Sequence, residues 1–104
     1  MSFKEFMADN GYEVKTTFWE DFSIADRFGV SAVKDTYKRV FEEWKHNVVY
    51  VTELAMVLNH KEWQHYENNE RLARVYDTLW EECDQWCLDN LKGEDLEYYI
   101  ATTD

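Results

Sequence analysis

Two pairs of side chains in the second half of the chain have spacings that could bind a metal ion. Glu62 and His65 have the Glu-x-x-His spacing that di-iron carboxylate bundles use to hold metal from one helix. Such a bundle needs two of these motifs and two further Glu residues, so a second copy of this chain would have to supply the missing ligands. The alternative is that Glu62 and His65 are solvated at the end of their helix or paired with Arg71 or Arg74. We therefore expect no metal and no cofactor. A metal-binding bundle is an alternative, and Glu62 and His65 are its candidate ligands.

Cys83 and Cys87 are the second pair, and a spacing of four residues places both thiols on one face of a helix. A closed zinc site needs two more ligands, and the sequence contains no other cysteine pair. Both cysteines fall within the apolar stripe of their helix, between Leu79 and Trp86. Because a free cysteine behaves as a small hydrophobic residue, we expect both thiols to be buried in the core.

The common catalytic motifs are absent from the sequence. Gly11, Gly29 and Gly93 are isolated from one another, so they form no phosphate-binding loop. None of the serines lies in a nucleophile elbow. His60 and His65 are five residues apart, which does not match the paired histidines of the helical metalloprotease motif. We expect that the protein is not an enzyme.

The acidic residues are concentrated in the second half of the chain. The 104 residues include 22 Asp and Glu against 11 Lys and Arg, for a formal charge of −11. Nine acidic and seven basic residues precede position 50, whereas thirteen acidic and four basic residues follow from there. At about 100° per residue, the carboxylates of the last long helix share one arc of about 160°, opposite the apolar stripe. The predicted acidic face comprises Asp77, Glu81, Glu82, Asp84 and Asp89, and it continues through Glu94, Asp95 and Glu97.

This acidic face has two interpretations. It could simply be a solvated helix surface that keeps the protein soluble. It could also bind a basic protein, because rows of carboxylates imitate the phosphates that nucleic-acid-binding proteins recognise. The same charge argues against direct binding to nucleic acid or to an anionic membrane. We therefore predict a basic partner, and more specifically a protein that handles nucleic acid.

Eighteen residues are aromatic, and some of them are candidates for an interface. Trp63, Tyr66 and Trp80 are possible exposed anchors, since Trp and Tyr are enriched at protein interfaces. The alternative is that these rings pack into the core. One small monomer can hardly bury eighteen aromatic side chains. A homodimer, which would cover some of them, is therefore a second possibility.

The beginning of the chain and its apolar runs bear on the compartment. The first six residues mix charged and aromatic side chains, which does not resemble a signal peptide. The longest aliphatic runs are much shorter than the roughly 20 residues that a membrane span needs. We expect a cytoplasmic protein that forms one domain over residues 1–104.

Helical periodicity dominates the sequence and predicts an all-α fold, a compact bundle of about five helices with one short extended connector. Local signals place two helix starts, a capping box formed by Thr17 and Glu20, and a cap at Ser31. The apolar stripe of the second helix is expected to reach Phe28 before the break at Gly29. Asn47 leaves open whether its flanking helices are separate. The predicted helices span residues 3–9, 18–28, 33–44, 48–66, 70–91 and, as a helix or turn, 94–100, with the connector at 12–16.

Three stretches of the sequence carry a resemblance to other proteins. Residues 17–22 (TFWEDF), 63–67 (WQHYE) and 90–96 (NLKGEDL) resemble those of small uncharacterised acidic proteins carried on bacterial phages and conjugative elements. The resemblance implies no activity and transfers no site residue. It does imply a setting in which inhibitors of host defence, of the anti-CRISPR or anti-restriction type, are common.

The leading functional prediction is thus a non-enzymatic acidic protein that binds a basic, nucleic-acid-handling partner through its carboxylate-rich face. One alternative is a homodimeric structural or accessory protein with no inhibitory role. The other is the metal-binding bundle built on Glu62 and His65.

Overall fold

Six α-helices account for most of the chain in the computed structural model, which describes residues 2–103. No strand occurs within these residues, and the Cα radius of gyration is 13.0 Å, about the value expected for a compact domain of this length. The predicted all-α, compact fold is confirmed, with one helix more than the expected five. The helices are α1 (Phe3–Asp9), α2 (Phe18–Asp26), α3 (Val30–Trp44), α4 (Val48–His65), α5 (Glu70–Asn90) and α6 (Glu94–Thr103).

Helix α4 lies at the centre and packs against α2, α3, α5 and α6. Its residues 51–55 are all buried, so this part of the helix is covered on every side. The run from Val48 to Val51 forms the first turn of α4 and is helical rather than extended. All six helices contribute side chains to the surrounding core.

Two asparagines begin the two longest helices. The Asn47 side chain accepts a hydrogen bond from the Tyr50 amide at 3.2 Å, and the Asn69 side chain accepts one from the Leu72 amide at 3.1 Å. Each bond satisfies an amide that has no partner in the first helical turn. Asn47 therefore separates α3 from α4, which resolves the boundary that the sequence left open.

The predicted capping box at Thr17 is wrong. Thr17 does precede α2, but its hydroxyl donates to Asp21 at 3.3 Å instead of accepting from the helix. The first amide, that of Phe18, donates to the hydroxyl of Thr16 at 3.3 Å. A capping box does form at the start of α1, between Ser2 and Glu5.

The turn between α2 and α3 also differs from the prediction. Gly29 has a φ of +104°, a conformation that other residues rarely adopt, and α3 begins directly after it at Val30. Ser31 therefore lies inside α3 and is not its cap. Because α2 ends at Asp26, Phe28 lies in the turn and is 78% exposed, so the prediction that it belongs to the apolar stripe is wrong.

A buried glutamate fixes the connector between α1 and α2. Glu53 on α4 is 5% exposed and accepts hydrogen bonds from the Lys15 amide at 2.8 Å and from the Thr16 hydroxyl. Burial raises the pKa of this carboxyl, and the hydrogen bonds oppose that effect. Residues 12–15 lie outside any helix and are held against α4 by this contact.

The most deeply buried charge in the described residues belongs to Lys61 on α4, which is 1% exposed. Its ammonium donates to the Asp26 carboxylate at 3.0 Å and to the Ser23 hydroxyl at 2.7 Å, both on α2. It also lies 4.2 Å from the ring centroid of Trp19, within the range of a cation–π contact.

The same carboxylate accepts two further hydrogen bonds. His65 Nε2 lies 2.8 Å from Asp26 Oδ2, and the Tyr76 hydroxyl donates to Asp26 Oδ1. The rings of His65 and Tyr76 stack with their centroids 5.7 Å apart. We call Ser23, Asp26, Lys61, His65 and Tyr76 the Asp26 network, and it joins α2, α4 and α5.

The Asp26 network stabilises the fold only if both of its charges, on Lys61 and Asp26, are present. Burial lowers the pKa of Lys61, because it disfavours the ammonium, and the adjacent Asp26 carboxylate opposes that shift. Removing one member of a buried ion pair leaves the other charge without compensation, whereas replacing both can be nearly neutral.

We predict that Asp26→Ala lowers the free energy of unfolding by about 3–5 kcal/mol, because Lys61 then loses its counter-charge. The double variant Asp26→Asn with Lys61→Met should recover most of that loss. Urea unfolding monitored by circular dichroism measures both. Asp35→Ala, at an exposed carboxylate of α3, is the control and should cost less than about 1 kcal/mol. A loss of the same small size for Asp26→Ala would contradict a structural role for the network.

Candidate functional site

The predicted acidic face is divided by the packing of α5. Asp77 and Glu81 are exposed on α5, close to Glu62 of α4. Glu82 instead lines a groove between α3 and α5. Asp84 is half-buried and accepts a hydrogen bond from the Tyr99 hydroxyl of α6 at 2.5 Å, which ties α6 to α5.

The remaining carboxylates of the face also have local partners or local roles. Asp89 accepts a hydrogen bond from the Gln85 side chain at 2.9 Å. Glu94, Asp95 and Glu97 are exposed in the first turn of α6, where negative charge is favoured by the helix dipole. These residues remain part of the acidic surface, and their negative charge also stabilises the N-terminus of α6.

Two of the three candidate interface aromatics lie on the surface. Trp63 is 62% exposed and Tyr66 is 64% exposed, and their ring centroids are 5.7 Å apart. Trp80 is half-buried and packs against the core. The two neighbouring rings form an exposed aromatic pair, and Trp and Tyr are residue types enriched at protein interfaces.

Glu62 lies beside this pair, in a cleft of about 500 Å³ between α4 and α5 that Tyr66, Glu67 and Asp77 also line. Its Oε2 atom is shielded from solvent and has no hydrogen-bond partner among residues 2–103. Partial burial, together with the neighbouring carboxyl groups of Asp77 and Glu81, raises the pKa of Glu62 from 4.5 to about 7. The charges of these neighbours disfavour the ionised form of Glu62, so the carboxyl groups are crowded.

We call Glu62, Glu67, Asp77 and Glu81, with the exposed rings of Trp63 and Tyr66, the acidic cleft surface. Arg74 also lines the cleft, but its guanidinium pairs with Glu70 on the same helix at 2.5 Å. The acidic cleft surface therefore combines crowded carboxylates with accessible π faces. This combination suits a guanidinium or ammonium group, which would supply charge to the carboxylates and could stack on an aromatic ring.

The two candidate metal ligands have different partners. His65 contacts Asp26 within the Asp26 network, whereas Glu62 is adjacent to Asp77. Among residues 2–103, no three side chains of His, Cys, Asp or Glu are arranged so that they could hold a metal ion. No sequence pattern could have identified the proximity of Glu62 to Asp77, because it arises from the packing of α4 on α5.

Cys83 and Cys87 are both fully buried, as predicted from their place in the apolar stripe. The adjacent Cys87 thiol and burial raise the pKa of the Cys83 thiol well above its ordinary value. Both cysteines are part of the hydrophobic core. Because reactivity requires an accessible thiolate, we expect neither thiol to be reactive.

None of the helices within residues 2–103 is sufficiently long and apolar to cross a bilayer. Comparison with protein families, with curated proteins and with solved structures gives no match for this chain.

We predict that Glu62 makes stability depend on pH. Between pH 4.5 and about 7 the folded protein binds more protons at Glu62 than the unfolded chain does, so the free energy of unfolding falls as the pH rises through this window. Glu62→Gln removes this effect. Relative to the wild type, this variant should gain about 1–2 kcal/mol between pH 5 and pH 8, allowing for solvent screening.

Urea unfolding at both pH values measures this difference. Glu67→Gln is the matched control, because Glu67 lines the same cleft but is exposed, and its stability should follow that of the wild type. If Glu62→Gln also follows the wild type at both pH values, Glu62 has an ordinary pKa and the carboxylates are not crowded.

Proposed function

We propose that this chain is a non-enzymatic protein that binds a basic protein partner through the acidic cleft surface. The main support comes from Glu62. Its shielded carboxylate oxygen has no hydrogen-bond donor in the described residues, and the carboxyl group of Asp77 lies beside it. A cationic side chain from a partner would satisfy this oxygen and relieve the repulsion between the carboxylates.

The surroundings of the cleft support the same type of partner. The chain carries thirteen acidic and four basic residues from position 50 onward, so the field around the cleft is negative. Such a field accelerates the approach of a basic surface, and it is screened beyond about 8–10 Å at physiological salt. Trp63 and Tyr66 add an apolar contact that salt does not weaken, and aromatic residues of this kind commonly supply much of the energy of an interface.

The concrete form of the proposal is an inhibitor of a nucleic-acid-handling enzyme of host defence. Asp77, Glu81 and the neighbouring carboxylates would compete with phosphates for that enzyme's Lys and Arg side chains. The resemblance of residues 17–22, 63–67 and 90–96 to acidic proteins of phages and conjugative elements supports this setting. The compartment of such a protein would be the bacterial cytoplasm.

A homodimer formed through Trp63 and Tyr66 is the second candidate, and the exposure of both rings favours it. The two proposals differ in their response to salt. A dimer held by aromatic contacts should persist at high salt and dissociate in Trp63→Ala, which light scattering would detect. Binding to a basic partner should weaken as salt increases.

We predict that reversing two charges of the acidic cleft surface weakens partner binding. Asp77→Lys with Glu81→Lys should weaken binding by about tenfold or more at physiological salt, because two attractive interactions become repulsive. The partner is the protein that wild type captures from host lysate at low salt, identified by mass spectrometry, and its affinity is then measured with purified proteins.

The matched control is Asp35→Lys with Glu43→Lys, which makes the same change in net charge at exposed positions of α3. This control should alter the affinity by no more than about threefold, since it acts only through the overall field. If both double variants reduce the affinity equally, binding depends on net charge alone. If neither does, the acidic cleft surface is not the binding site.

A further inference from the structure

A second pocket, separate from the acidic cleft, lies between α1, α4, α5 and α6. Its volume is about 460 Å³, within the range of small-molecule sites. Ten of residues 2–103 line it, and none of these ten is Asp, Glu, Lys or Arg, although 32% of the chain is charged. The aromatic residues among them are Phe6, Tyr12, His60, Trp63 and Trp80.

The histidine in this pocket belongs to a stack of rings. His60 stacks on Phe6 with centroids 4.9 Å apart and an interplanar angle of 21°, and the rings of Phe3 and Trp19 lie within 6.0 Å. Burial lowers the pKa of His60, with a further contribution from the charge of Lys61. A lowered pKa favours the neutral imidazole at physiological pH, so the described residues of the lining carry little or no formal charge.

The polar groups of the pocket fall into two sets. The first set already has hydrogen-bond partners. The Asn10 side chain donates to the backbone carbonyl of Phe6 at 2.8 Å, and the Thr103 hydroxyl donates to that of Tyr99 at 2.7 Å. The side chains of Asn59, Tyr12 and Thr102 make no hydrogen bond within the part of the chain that the structure describes. The Asn59 amide can donate and accept at once, and the two hydroxyls can do the same.

We propose that this pocket binds a neutral planar nitrogen heterocycle, namely a nucleobase or a nucleoside. Its aromatic walls provide faces on which a flat ring can stack, and stacking of bases on aromatic side chains is favourable for every base. The Asn59 amide matches the adjacent donor and acceptor groups on the edge of a base. The charge of −11 repels phosphate, so the ligand lacks one.

Trp63 belongs both to this pocket and to the acidic cleft surface, but none of the cleft carboxylates is among the described residues that line the pocket. This inference therefore does not depend on the charges that carry the proposed function. A purely aliphatic ligand would cover the half-buried Asn59 amide without offering it a hydrogen-bond partner, which is unfavourable. An anionic ligand would find no cation in the lining.

The test is a titration of the full chain with adenosine and with uridine, monitored by NMR. At least one nucleoside should give saturable shifts of the Trp63 and Trp80 indole N–H signals and of the Asn59 side-chain amide. Asn59→Ala should weaken that binding about tenfold, whereas Asn68→Ala, at an exposed position, should leave it unchanged. Because Trp63 is largely exposed, Trp63→Ala should fold normally and also weaken binding.

Adenosine monophosphate and ribose are the ligand controls, and both should bind at least about tenfold more weakly than the nucleoside. No saturable shift up to about 10 mM of either nucleoside would overturn the proposal, since this concentration corresponds to a negligible affinity. Equal binding of ribose, or unchanged binding by Asn59→Ala, would also overturn it.

Discussion

The contact between the Lys61 ammonium and the Asp26 carboxylate is the interaction on which the arrangement of the helices depends. A buried ammonium is tolerated only when a carboxylate and hydrogen bonds compensate for its lost hydration, so α2 must dock where Asp26 meets Lys61. The same carboxylate then accepts from His65 and from Tyr76 of α5, which fixes the third helix against the other two. A single buried anion thus positions α2, α4 and α5 relative to one another.

The acidic cleft follows from this constraint. Successive residues of a helix are about 100° apart, so the orientation that turns Lys61 toward α2 leaves Glu62 toward α5, beside Asp77. Helix α4 therefore places a buried cation on one side and a crowded carboxylate on the other. The packing of α5 and α6 pairs Asp84 with Tyr99, while Asp77 and Glu81 form no salt bridge within residues 2–103. The crowded carboxylates are fewer than the helix face that the sequence predicted, and they lie on two helices.

The helices themselves were largely predictable from the sequence, since apolar residues recur at helical spacing, although the separation of α3 from α4 at Asn47 was left open. The burial of Cys83 and Cys87 followed from the same periodicity. The errors occurred where local signals compete. Thr17 fits a capping box, but Asp21 binds its hydroxyl, and Phe28 continues a stripe that the helix does not reach. The Asp26 network could not be predicted, because it pairs residues 35 or more positions apart, and no local pattern reveals that a lysine is buried. The proximity of Glu62 to Asp77 has the same origin.

We propose that a basic partner occupies the surface around Glu62, Trp63, Tyr66, Asp77 and Glu81. Hydrogen–deuterium exchange on the chain, alone and in complex with the partner that it captures, locates the binding surface. We expect slower exchange in the complex for backbone amides in the last turns of α4 and the first half of α5, with no change in α3. Protection confined to α3, or to regions remote from the cleft, would contradict the claim.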